Sequence, residues 1–185
     1  MKLIELTQGR VAIVDDEDFE WLSEWVWFYQ RSRKTGYAKR NACSKLRQMI
    51  PMQVAIMKRY KRWKRGREID HINMCGVDNR KENLRLATLY EQSANGRLQI
   101  NNSSKVTGVG WHERDSRWRA RITIGGRLIH LGNFINKKDA ITARRRAEIK
   151  YFGEYRHDPT KLCPLWKTGQ CPDCSERAQG LGLKP

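Results

Sequence analysis

The sequence predicts an α+β fold, with small antiparallel strands and few helices in two modules followed by a cysteine-bearing tail. Three observations carry this expectation. Apolar residues come in short runs with strand-like alternation. Gly, Asn and Asp clusters punctuate those runs at turn-like positions. The 185 residues are 39% hydrophobic with seven Trp, enough for small aromatic-anchored cores but not for one large core.

Taken in order, Val11–Val14 is a short apolar strand, and Asp15–Asp18 offers N-cap and first-turn acids for a helix containing Phe19, Trp21 and Leu22. Trp25–Tyr29 and Tyr37–Ala38 read as strands around a turn at Lys34–Gly36. Pro51 suits the first turn of a helix running through Met57. From Lys58 to Arg67 seven of ten residues are basic, with Tyr60 and Trp63 interleaved, and Arg62 and Arg65 are candidate phosphate contacts. Ile69 and Ile72 suit a strand, Leu84–Ala87 a second, and Thr88–Glu91 is a capping-box pattern that starts a helix stopping near Gly96. The polar stretch at 101–106 is the expected linker between modules.

Charge narrows the partners. Thirty-seven Lys and Arg against 20 acids leave a formal +17, a field that attracts polyanions, although a merely basic protein shares it. No apolar run approaches the roughly 20 residues of a membrane span. No basic amphipathic helix with a broad apolar face suggests a membrane surface. The acidic Glu5 comes too early for a secretory signal, so the chain is expected to remain in the cytoplasm where it is made. The five cysteines, Cys43, Cys75, Cys163, Cys171 and Cys174, then read as free thiols or metal ligands rather than disulfides.

Asp70 and His71 are adjacent ionisable residues at a strand end. Regular alternation would send them to opposite faces, so the strand must end or distort for both to serve one centre. The chemistry available is metal-assisted phosphodiester hydrolysis. A carboxylate holds a hard cation and a neutral imidazole takes a proton from water, its ring oriented by an Asn amide on the next strand. Spacing alone also fits surface residues or a satisfied core histidine.

The run Asp70–Asn73 followed by Asp78–Thr88 strongly resembles the HNH homing endonucleases common in phages, and Leu6–Asp18 resembles the segment that often precedes their nuclease centre. The resemblance extends from about residue 5 to residue 155 and implies a ββα-metal unit at about 67–96 within a nuclease domain over 1–100. It implies His71 as general base, Asp70 as ligand for Mg²⁺ or Mn²⁺, and Asn83 orienting the imidazole. The second metal ligand falls on Gln92, where the family carries Asn or His; Asn95 lies one turn further on. Gln53 likewise stands where relatives usually carry His.

The second module, 107–156, reads as three antiparallel strands with a hairpin turn at Gly125–Gly126, packed on one helix that starts near Asn136 and repeats Ala140, Ala143, Ala147 and Tyr151. Arg117, Arg119, Arg121 and Thr123 alternate to one face of the middle strand, and Trp118, Ala120, Ile122 and Ile124 to the other. An all-Arg ladder suits phosphates and guanine edges in a major groove. The stretch is similar to the APETALA-type (ethylene-response-factor) DNA-binding domain. The resemblance implies contacts from Trp111, Arg114, Arg117, Arg119, Arg121 and His130, although Thr107, Gly110 and Leu128 stand where that family bears Arg.

In the tail, 157–185, His157, Cys163, Cys171 and Cys174 can supply four ligands to a structural Zn²⁺, or be free thiols in a flexible end. The expected whole is a monomeric endonuclease acting on double-stranded DNA in a bacterial or phage-infected cell. The alternative is a catalytically degenerate DNA-binding protein with the same two modules. An RNA-associated basic protein would be expected to show the aromatic stacking of single-strand binders.

Overall fold

The computed structural model describes residues 1–32, 35–42, 48–94, 104–156, 158, 160–180 and 182–183. The protein is α+β. It divides into two compact units, residues 1–88 with 158–185, and residues 89–157. The division thus falls at Thr88/Leu89 rather than at the expected linker, and the tail joins the first unit. Residues 101–103 of that linker lie outside the described residues. Ser104 is not linker-like: it is buried, and its hydroxyl bonds to the backbone of Val106 and Val109.

In the first unit, β1 (Lys2–Leu6) and β2 (Arg10–Val14) form a hairpin with Lys2 opposite Val14 and Leu6 opposite Arg10. Alternation buries Ile4 and Leu6 and leaves Leu3 and Glu5 outside. Helix α1 (Asp16–Ser23) carries Asp16, Glu17 and Asp18 at its positive end, as the sequence suggests. Asp15 occupies the N-cap position but makes no side-chain cap bond; its Oδ2 accepts the backbone N–H of Lys81 at 2.9 Å.

Trp25 N–H returns to the Leu22 carbonyl and closes the helix, so the next strand begins only at Phe28 rather than at Trp25. Strands β3 (Phe28–Arg31), β4 (Gly36–Asn41) and β5 (Met49–Pro51) form a sheet in that order. Lys34 in the expected turn lies outside the described residues. Helix α2 (Met52–Arg59) starts after Pro51 and buries Met52, Gln53, Ile56 and Met57 on one face. Met52, Ile56 and Met57 join Ile13, Leu22 and Trp27 in the core, and the Trp27 indole satisfies its N–H on the Leu22 carbonyl at 2.8 Å. A two-stranded ribbon follows, β6 (Glu68–His71) and β7 (Leu84–Ala87), with Asp70 opposite Arg85 and His71 opposite Leu84.

The second unit opens with α3 (Leu89–Ala94) at the capping-box position; Gly96, its expected stop, lies outside the described residues. Strands β8 (Val109–His112), β9 (Arg117–Ile124) and β10 (Arg127–Phe134) form an antiparallel sheet with β9 central. Ile124 pairs with Arg127, so Gly125 and Gly126 are a two-residue turn, and both take the positive φ (55° and 81°) that such turns demand. Helix α4 (Lys137–Phe152) packs on the sheet through Ala140 against Val109 and Ala120, and Ala147 on the same helix is buried. Tyr151, expected on that packing face, is exposed; the buried long side chain on α4 is Arg144.

The chain then returns to the first unit. A short turn at Pro164–Trp166 and helix α5 (Pro172–Gly180) bring Cys163, Leu165, Cys171 and Cys174 into its core. Among the described residues no helix is long and apolar enough to cross a membrane.

Candidate active site and nucleic-acid face

Strand β6 stops at His71 because the chain turns there: Met74 N–H bonds back to the His71 carbonyl at 2.8 Å, and Met74 takes a positive φ of 56°. Asp70 and His71 nonetheless both lie within the regular β6–β7 ladder, opposite Arg85 and Leu84, and the strand ends only after His71. Asp70 and His71 are both buried, at 7% and 5% exposure. The Oδ2 of Asp70 accepts Arg85 Nε at 2.9 Å and Nη2 at 2.7 Å across the ribbon. The His71 ring stands 5.9 Å from the Tyr37 ring, and its Nε2 is 3.3 Å from Asn79 Oδ1. Burial pushes the imidazole below its ordinary pKa, with the Asn79 bond and the Asp78 and Asp70 charges opposing. The ring is therefore neutral at physiological pH.

Residues 72–79 form a polar loop held from within. Asn83, expected to orient the imidazole, instead spends its amide on this loop. Its Nδ2 donates to Asn73 Oδ1 at 2.9 Å and to the Asp78 carbonyl at 2.7 Å, and its Oδ1 accepts Asn73 N–H at 3.0 Å. Both amide hydrogens are thereby used within reach of the loop backbone. Asn79, next along from Asp78, takes the place against the imidazole. The spacing Asp78-Asn79 ahead of Asn83 could have drawn attention to it.

Asp78 is the fully buried hub of this loop. It accepts Asn73 Nδ2 at 2.7 Å, Arg80 Nε at 2.8 Å and Arg80 Nη2 at 2.9 Å, a bidentate ion pair that raises the Arg80 guanidinium further above its usual range. The backbone is pinned as well: Ile13 N–H bonds the Val77 carbonyl and Asn79 N–H the Ile13 carbonyl, each at 2.8 Å. At Gly76 a side chain would collide with the Gly36 carbonyl and the Tyr37 ring, so the loop lies directly on β4.

Gln92 is exposed on α3 in the second unit, so the two expected metal ligands, Asp70 and Gln92, lie in different units; Asn95 lies outside the described residues. Gln53 is buried on the inner face of α2, and its Oε1 has no hydrogen-bond partner among the described residues. Arg62 and Arg65 are exposed in the basic segment after α2, and in the last turn of α2 Lys58 stacks on Trp63 and Arg59 on Trp21.

In the second unit the ladder has the expected facing. Arg117 and Arg121 are exposed, Ala120 and Ile122 are buried, and Arg121 stands opposite the exposed His130. Arg119 is tied down by Asp115 at 3.1 Å and Asn133 at 3.4 Å, and Asp115 also holds His112. Arg114 is exposed in the turn before β9. Trp111 stands directly opposite Trp118, their ring centroids 5.4 Å apart, on the other side of the sheet from the Arg ladder, and it remains exposed.

The tail supplies a third constellation. Cys75, Cys163, Cys171 and Cys174 are all buried, and their sulfurs lie within 4.8 Å of one another, a cluster that can hold a structural metal such as zinc. The sequence points to Cys163, Cys171 and Cys174 for such a site but to His157 as the fourth ligand. His157 lies outside the described residues, and the fourth donor is Cys75, from the polar loop. Shared thiol hydrogen bonds, led by that of Cys163, hold Cys174 far below the usual thiol range, and Arg177, with Nη2 at 3.0 Å, acts the same way. Cys75 is pushed up chiefly by Cys163, and Cys163 chiefly by Cys171. Only a cation would let all four ionise together.

No family model matches the chain, and no solved structure matches it. Among curated proteins, Protein 3.8 of Escherichia phage T7 is 33% identical over 63 residues, which is 34% of this chain and 52% of that protein. The chain thus spans about half the length of the curated relative it matches.

Proposed function

We propose that the chain is an HNH-type endonuclease that nicks double-stranded DNA, with the second unit gripping the duplex. The observation that carries the reading is a buried Asp70–His71 pair at the end of a β-ribbon, its imidazole kept neutral and held by a loop of interlocked amides. A polar, fixed centre of this kind in a chain of charge +17 suits phosphodiester hydrolysis.

His71 acts as the general base. Its ring is held by the Asn79 amide, and as a neutral imidazole it takes the proton of the attacking water. Asp70 is the hard donor for Mg²⁺ or Mn²⁺, which when bound would supply positive charge for the leaving oxygen. The donor fits, but Arg85 already occupies its Oδ2, so an ion would share the carboxylate or take Arg85's place. The assignment rests on Asp70 and not on Gln92. The four-thiol cluster takes Zn²⁺ as a structural ion that does not touch the reacting atoms. One centre per chain suits a monomer that cuts one strand.

The same Asp70–Arg85 pair favours a second reading, a DNA-binding protein that keeps the fold without cutting. Supercoiled plasmid carrying the native locus separates the two. Under the first reading Mg²⁺ or Mn²⁺ yields relaxed circles, while a chelator stops the reaction. His71→Ala should slow nicking by about 100-fold or more while DNA affinity holds. Bound DNA that is never cut establishes the second reading.

The DNA face is tested separately. Arg121→Ala should weaken duplex binding more than Arg119→Ala, because Asp115 already neutralises Arg119. The salt slope should fall by about 0.9, since one phosphate is no longer neutralised. Unchanged affinity and slope in a fluorescence-anisotropy titration would remove the β9 face from the interface.

A further inference from the structure

The four cysteines join two distant parts of the chain at one point. Cys75 sits in the 72–79 loop beside the candidate catalytic histidine, and Cys171 lies 96 positions away in the tail, its sulfur 3.3 Å from that of Cys75. Cys75, Cys163 and Cys171 each open a tight turn in which a backbone N–H three residues on returns to the cysteine carbonyl. Such turns present sulfurs inward to a shared centre. Tetrahedral zinc with sulfurs at about 2.3 Å sets them roughly 3.8 Å apart, so the cluster needs shifts of only about 1 Å to close on an ion. A tetrathiolate zinc centre carries two net negative charges, and the guanidinium of Arg177 on Cys174 offsets part of them.

Among the described residues of the tail, little else holds it. Among the described residues, Leu165 and Ala178 are its buried hydrophobic side chains apart from the cysteines, with Leu162 and Trp166 packing at the edge of the core. An isolated segment of this kind is far below the size that packs without a staple.

From Cys75 a short path leads to the imidazole. Cys75 N–H donates to Asn73 Oδ1 at 2.9 Å, and Asp78 N–H donates to the Cys75 carbonyl at 3.0 Å. Asn73 Nδ2 donates to Asp78, and the following residue, Asn79, holds His71 Nε2. Met74, between them, donates its N–H to the His71 carbonyl. Fixing the Cys75 sulfur therefore fixes one end of the network that orients the ring.

We propose that the ion bound by Cys75, Cys163, Cys171 and Cys174 is the joint that sets the 72–79 loop and the His71 ring, so that its occupancy governs turnover and leaves DNA affinity unchanged. The turnover half rests on the nuclease reading; the positioning half does not. A misplacement of about 1 Å at a catalytic group costs on the order of 100-fold in rate.

The test uses the full chain. Metal analysis and cobalt substitution come first: one tightly held zinc per chain, and visible bands of tetrahedral thiolate cobalt, are expected. The His71 imidazole is then followed by ¹H–¹⁵N correlation with the zinc present, with it stripped by chelation, and in Cys163→Ser, which leaves the loop sequence intact. Stripping or Cys163→Ser should move and broaden the His71 signals and slow nicking by about 100-fold, with duplex Kd within about 2-fold. Cys75→Ser should do the same from the loop side; should it unfold, the stripped protein and Cys163→Ser decide.

Absence of bound metal and of thiolate–cobalt bands overturns the proposal. So do unshifted His71 signals, or a nicking rate that survives stripping. A chain that never nicks overturns the nuclease reading alone, and the imidazole signals then decide the positioning claim.

Discussion

Asp78→Ala is expected to lower the stability of the first unit by about 3–5 kcal/mol, the usual cost of removing one partner of a buried ion pair. The carboxylate is fully buried and accepts three hydrogen bonds, two from Arg80 and one from Asn73. Truncation strands the Arg80 guanidinium, whose other ionic partner is the exposed Glu82, and leaves the Asn73 amide without its acceptor. Asp78→Asn keeps the shape and one acceptor, so it should fall between wild type and Ala. Denaturant midpoints at constant m-value measure both. A loss below about 1 kcal/mol for Ala would mean that the loop is held by its backbone bonds to Ile13, and that the side-chain network is secondary.

The arrangement around Asp78 is costly in itself, since Asn73, Asp78, Asn79 and Asn83 are all buried polar residues in a unit with a modest core. An apolar loop of the same shape would be easier to stabilise. Interlocked amides and carboxylates, however, admit few alternative arrangements, and they fix a ring and a backbone together. The same logic recurs at α1, where buried Asp18 accepts the Trp21 indole and the Tyr60 hydroxyl, each at 2.9 Å, with Lys81 at 3.4 Å. Lys81 immediately follows Arg80, so one short stretch anchors both polar hubs.

The order of elements was legible in the sequence because it rests on local signals. Period-two alternation exposed β9 and its Arg face, the Gly125–Gly126 pair fixed the hairpin, and the acids at 15–18 placed α1. What failed was whatever depended on partners distant along the chain. Spacing does not group Cys75 with the tail cysteines, because they lie 88 or more positions away and no spacing rule reaches so far. Asn83 and Asn79 are chemically identical amides, and only the fold of the loop decides which of them faces the imidazole. Arg144 sat in a helix with three consecutive arginines, and nothing local distinguishes the one that turns inward.

That buried arginine carries the largest expected effect in the second unit. Arg144 Nη1 donates to the Arg121 carbonyl at 2.7 Å, its Nε to Glu148 at 2.8 Å, and the guanidinium lies 5.9 Å from the Phe152 ring centroid. It thus ties α4 to the strand that bears the Arg ladder, at the point where Gly108 approaches so closely that any side chain there would collide with the Arg121 carbonyl. Arg144→Ala should cost about 3 kcal/mol, by leaving Glu148 without its cation and the Arg121 carbonyl without a donor. Arg144→Lys, which keeps the charge but not the fork, should recover only part of it. The two units are compact separately, so hydrogen exchange read by peptide should accelerate within 104–156 and remain unchanged at 68–87. Duplex affinity should fall with the fraction of folded second unit, although Arg144 itself contributes no exposed charge. Acceleration spread equally over both units would show instead that they unfold as one.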